Sequence, residues 1–159
     1  LPGKKIFLKG NHDLWWSSLT KIKELNLKKM FFLQNNSIET EDYVFIGTRG
    51  WLSPKSSEFS EDTDRKIYNR ELTRLKLSLD SVKNKEKDII CLFHYPPVEK
   101  DRTLNDFGLF LKEHNIKVAV YGHLHAYSLN NVVDEVVEGI EFHCISADYL
   151  QFIPRLIRR

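Results

Sequence analysis

Val118-Ala119-Val120-Tyr121-Gly122-His123-Leu124-His125 sets two imidazoles on alternate residues directly after an apolar strand-like run. In an extended chain, residues two apart project to one side, so His123 and His125 are expected to face a common pocket. Far upstream, Gly10-Asn11-His12-Asp13 closes the run 4–9 in the same manner, and His94 ends Asp88-Ile89-Ile90-Cys91-Leu92-Phe93 just before Tyr95-Pro96-Pro97. Three strand ends thus carry metal-ligand chemistry: imidazole suits zinc, manganese or iron, and Asn11 adds an amide oxygen. His-x-His alone is weak evidence. Four of the six histidines in three equivalent contexts are harder to explain as satisfied core histidines. His114, in the polar end of a helix-like segment, and His143, alternating along a strand-like run, read as structural.

The spacing between these motifs alternates strand and helix. Strands are expected at 4–9, 31–33, 43–47, 88–93 and 117–121, and helices at 17–29, 62–82 and 104–114. The long helix carries an apolar stripe of Ile67, Leu72, Leu75, Leu79 and Val82. A hairpin around Glu138-Gly139 and a covering tail follow. Strands alternating with helices, followed by a run of strands, predict an α/β fold: two mixed β-sheets packed as a sandwich with helices outside, forming one domain over residues 1–159. Sites in such folds gather at the carboxyl ends of strands, where rigid apolar support meets polar loops.

Gly10-Asn11-His12-Asp13, His94 and Gly122-His123-Leu124-His125, in that order, resemble the second half of the signature of the calcineurin-like metallophosphoesterases, across residues 10–125. The resemblance implies a binuclear metal-dependent phosphoesterase that hydrolyses phosphate mono- or diesters by attack of metal-bound hydroxide. It implies that Asn11, His94 and His123 bind one metal and His125 the other, with Asn11 also touching the substrate phosphate. It further implies that His12 acts on the leaving oxygen and that Asp13 orients His12. The cofactors would be two divalent ions, of manganese, iron or zinc. On residues alone, His12-Asp13 could be a turn that caps the next helix. Arg49, in Gly47-Thr48-Arg49-Gly50-Trp51, could grip phosphate or make a surface salt bridge. Trp15, Trp16 and Tyr95 could line the substrate mouth or pack inside.

The sequence departs from the family pattern at its beginning. The family opens with Asp-x-His and then Gly-Asp, but here none of the seven glycines precedes Asp and no Asp precedes His by two. The expectation is a domain truncated at its N-terminus, impaired in catalysis and with partial or no metal occupancy. A non-catalytic binding scaffold of the same fold, or a nuclease of the superfamily, are the alternatives.

Composition narrows the partners. Lys+Arg 24 against Asp+Glu 22 leaves a net charge of +2, too balanced for a general nucleic-acid-binding surface, so nucleic acid enters only as a possible substrate. No apolar run reaches the eighteen or so residues of a membrane span, and no charged-then-apolar leader precedes the first strand. Cys91 and Cys144 lie in apolar runs without zinc or redox spacing and read as buried thiols. Together these predict a cytoplasmic protein, and the resemblance implies a phosphate ester as its partner.

Overall fold

The computed structural model describes residues 2–158, so the two ends of the expected unit, Leu1 and Arg159, lie outside the described residues. Among the described residues eight strands and three α-helices follow the expected order: β1 (Lys5–Leu8), α1 (Leu19–Glu24), β2 (Met30–Leu33), β3 (Ile38–Glu39), β4 (Tyr43–Thr48), α2 (Asp64–Asp80), β5 (Asp88–Phe93), α3 (Asp106–Glu113), β6 (Val118–Tyr121), β7 (Val136–Val137) and β8 (Ile140–Cys144), with β3 in addition to those expected. A 3-10 helix, Ala126–Asn131, follows the His-x-His segment. The large sheet is mixed, in the order β3-β4-β5-β6-β8-β7, while β1 and β2 form a separate parallel pair. The expected α/β architecture with two sheets and flanking helices is what the chain adopts.

Strands β4, β5 and β6 are parallel and in register, with Thr48 opposite Phe93 and Phe93 opposite Tyr121. Their carboxyl ends therefore stop at one level. Parallel strands covered on both faces need apolar side chains on both, which explains why β6 is buried at every position. One face, with Val44, Ile46, Cys91, Phe93, Ala119 and Tyr121, packs with α2 and α3 residues in the main core. The other carries Ile90, Val118 and Val120, against which Phe45, Leu92 and Ile157 of the tail pack. An ion pair, Arg158 to Glu141 at 2.7 Å, ties that tail to β8. Cys91 and Cys144 are buried free thiols, as expected. Among the described residues no helix is long and apolar enough to cross a membrane.

Besides the added β3, two elements differ from expectation. Helix α1 is only six residues long, because Asn26 and Lys29 adopt positive φ (47° and 62°) and break the helix before β2. Helix α2 buries Tyr68, Glu71, Leu75 and Ser78 rather than the purely apolar stripe, with Leu72 and Leu79 at its margin and Ile67 only half-buried. Both polar residues have interior partners. Ser78 Oγ accepts from Gly47 N (3.0 Å) and donates to Asn36 O (2.7 Å), closing the edge of β4 where β3 has ended. Thr48 Oγ1 donates to Glu71 Oε2 at 2.7 Å. A hydrophobic pattern is blind to polar groups hidden by partners.

Candidate metal centre

Backbone geometry at three strand ends builds the centre. After β5, the amides of His94 and Tyr95 both donate to the Arg49 carbonyl, at 3.2 and 2.9 Å, which locks the loop after β4 to the loop after β5. Gly50 allows this approach: its φ is +70°, and a Cβ there would meet Tyr95 Cβ at 3.3 Å. After β6, Leu124 N donates to Gly122 O at 2.8 Å around His123, whose φ is +69°. This γ-turn is a strained conformation for a non-glycine residue. It is held by the buried Leu124 that follows. The expected convergence of His123 and His125 therefore arises from a tight turn and not from strand alternation.

After β1, Asp13 shapes the third loop. Its Oδ2 accepts from Gly10 N at 2.7 Å and its Oδ1 from the Trp15 indole at 3.0 Å. Among the described residues no hydrogen bond joins Asp13 to His12. Gly10 sits under the cluster, where a Cβ would lie 3.1 Å from the His94 ring.

The loops bring together Asn11, His94 and His123. Asn11 Oδ1 lies 2.8 Å from His94 Nε2, which lies 3.1 Å from His123 Nδ1. One ring nitrogen presents either a proton or a lone pair along a single axis, so His94 Nε2 cannot make a well-aligned hydrogen bond to both neighbours in any neutral state. Neighbouring ligands about 2.1 Å from a shared ion would stand about 3.0 Å apart at right angles. The spacing fits such a ligand edge. Among the described residues no group of three His, Cys, Asp or Glu side chains gathers to hold a metal; the third donor here is an amide oxygen.

Asn11, His12, His94, His123 and His125 line a single open cleft of about 400 Å³. His12 and His125 are exposed, whereas His94 and His123 are half-buried. Arg49 lies outside this lining. Its guanidinium reaches Glu71 (3.4 Å) and packs over Trp51 (4.4 Å to the ring centre). The tryptophan pair divides: Trp16 is buried against Phe32, and Trp15 is 60% exposed. Tyr95 is buried, with its ring 4.0 Å from that of His123. His114 packs at a tilt against Phe110 at the end of α3, and His143 sits on β8 near Glu141, away from the cleft. Asp148 also lines the cleft, and it escaped sequence reasoning because nothing around it repeats the strand-end pattern. Its carboxylate accepts from Ala126 N at 2.9 Å, and that bond leads the causes that lower its pKa.

Burial holds His94 neutral. Its pKa is drawn down from 6.5 to about 4, chiefly by desolvation and then by the neighbouring His123 and Arg49. Burial, followed by His125 and His12, lowers that of His123 as well. Neutral rings are what a metal requires. Because the folded pKa lies below the unfolded one, the unfolded chain takes up the proton first. The penalty is absent above about pH 6.5, grows as pH falls, and is complete below about 4. In chelator, the urea midpoint is therefore expected to fall between pH 7 and pH 4.5, and His94→Gln to flatten that fall. Parallel slopes for the two proteins would contradict this origin.

No match was found among curated proteins or solved structures. The family model described as calcineurin-like phosphoesterase matches residues 2–127, which takes in all three loops of the cluster. That family generally binds two divalent metals and gives this protein a function of the metallophosphoesterase type. The matched span covers most of the chain: this chain belongs to the calcineurin-like phosphoesterase family.

Proposed function

We propose that this protein is a metal-dependent phosphoesterase acting on phosphate mono- or diesters in the cytoplasm, with Asn11, His94 and His123 as ligands of one divalent ion and His125 as ligand of another. The observation that carries this reading is the convergence of Asn11 Oδ1, His94 Nε2 and His123 Nδ1 within 3.1 Å steps, in an open cleft at parallel strand ends. Manganese, iron or zinc bound there would neutralise phosphoryl oxygens and supply an activated water. Every other step falls to side chains. Asn11, at the cleft wall, has an amide N–H for a phosphate oxygen. His12, exposed on the same cleft, hydrogen-bonds or protonates the departing oxygen. Asp13 fixes the turn that presents His12, through its bonds to Gly10 and Trp15. Arg49 serves by holding the His94-Tyr95 loop through its carbonyl, its guanidinium being engaged by Glu71.

A second reading, a binding domain without turnover, is favoured because among the described residues no three His, Cys, Asp or Glu side chains gather to hold a metal. Hydrolysis of bis-p-nitrophenyl phosphate separates the two. Weak, manganese-dependent turnover that chelator abolishes, and that His12→Ala lowers about 100-fold, is expected of the enzyme. Turnover indifferent to chelator and to His12→Ala would overturn the assignment, and none at any metal would leave the binding domain.

A further inference from the structure

Sharing His123 and Leu124 with the histidine cleft, a second cleft of about 440 Å³ opens between the segments 51–58 and 95–100. Its inner wall is a run of rings: Trp51 lies 5.4 Å from Tyr95, and Tyr95 lies 4.0 Å from His123, centre to centre. The Trp51 indole is fixed before any ligand arrives. Arg49 covers it at 4.4 Å, and its Nε1 donates to Asp64 at 2.9 Å. The rim combines engaged and spare polar groups. Ser53 donates to Glu99 and Lys55 to Thr103, at 2.5 and 2.7 Å. The side chains of Ser57, Lys100 and Asn131 also line the cleft, and among the described residues none of them has a hydrogen-bond or ion-pair partner.

A preformed aromatic wall with unengaged donors and acceptors at its rim, opening onto the imidazole of His123, suits a flat ring with polar edges tethered to a phosphate. The volume falls in the range of small-molecule sites and exceeds what a single phenyl ring fills. From this juxtaposition we propose that the Trp51–Tyr95 cleft is the base subsite of a nucleotide substrate, whose phosphate reaches the His123 end. This rests on the phosphoesterase reading of the neighbouring cleft.

The test is competitive binding to the chain, with and without manganese, of inorganic phosphate, ribose 5-phosphate, phenyl phosphate, AMP and adenosine. AMP is expected to bind about tenfold more tightly than ribose 5-phosphate, because ring stacking adds to phosphate binding. Adenosine should bind weakly and indifferently to manganese. Trp51→Leu should erase the preference for AMP and leave the affinity for ribose 5-phosphate unchanged. Trp51→Phe should retain most of it, with circular dichroism establishing that both fold. Lys100→Glu, on the exposed rim, should weaken AMP if folding is lost in the leucine variant.

Equal affinity for AMP and ribose 5-phosphate, with inorganic phosphate still bound, would overturn the base subsite and spare the phosphate site. Phenyl phosphate matching AMP would overturn the nucleotide assignment. A preference for AMP that survives Trp51→Leu would remove it from this cleft. Failure of all phosphates in manganese, with adenosine still bound, would overturn the phosphoesterase reading and with it the nucleotide substrate.

Discussion

His94→Ala should lower the affinity of this chain for manganese at least about 100-fold, since loss of outer-sphere partners alone costs 10- to 100-fold at metal sites and His94 is proposed as a direct ligand. Its Nε2 stands between Asn11 Oδ1 (2.8 Å) and His123 Nδ1 (3.1 Å), so its removal separates the other two donors as well as deleting one. Isothermal titration with manganese measures this directly. His114→Ala is the control, because His114 packs on Phe110 and touches no part of the cleft. The metal-free His94→Ala chain should also be less sensitive to acid, because a neutral buried ring that resists protonation is gone. Unaltered manganese affinity would show that the cluster is a hydrogen-bonded core feature with no metal role.

Glu71→Ala should produce the largest loss of stability, about 3 kcal/mol, corresponding to a drop of roughly 6–12 °C in melting temperature for a domain of this size. The carboxylate is 1% exposed and accepts from Thr48 Oγ1 and Arg74, both at 2.7 Å, with Arg49 at 3.4 Å and Arg70 at 3.6 Å. Removing it leaves three guanidinium groups facing one another across a cavity. Arg70 and Arg74 keep access to water, which screens their repulsion and keeps the loss at the lower end for a broken buried pair. Lys9 adds to the positive surroundings: burial, then Arg49 and Arg74, lower its pKa. Asp80→Ala, which breaks the exposed Lys76 pair on the same helix, should cost about 0.5 kcal/mol or less. Thermal melts of the two variants make the comparison, and equal shifts would refute the importance of the buried cluster.

Glu71 also marks where sequence reading stops. A glutamate in a lysine- and arginine-rich helix looks solvent-facing, and only the tertiary fold turns it inward toward Thr48 and Arg49. Asp13 carries the same lesson. The family resemblance implies that it orients His12, yet its carboxylate accepts from the Gly10 amide and the Trp15 indole. Trp51 and Tyr95 are 44 positions apart and become neighbours because β4 and β5 are parallel and in register.

By itself the sequence determined the alternation of strands and helices, the apolar strands, and the imidazoles and amide that end three of them. These are local properties, set by side-chain period, turn residues and the chemistry of individual groups. The tertiary structure alone decided which donors meet, through the common level of the parallel strand ends and the γ-turn at His123. It also decided which charges are buried and where an aromatic wall stands beside the histidines. Such distances depend on backbone register and on partners remote in the chain, which no local pattern encodes.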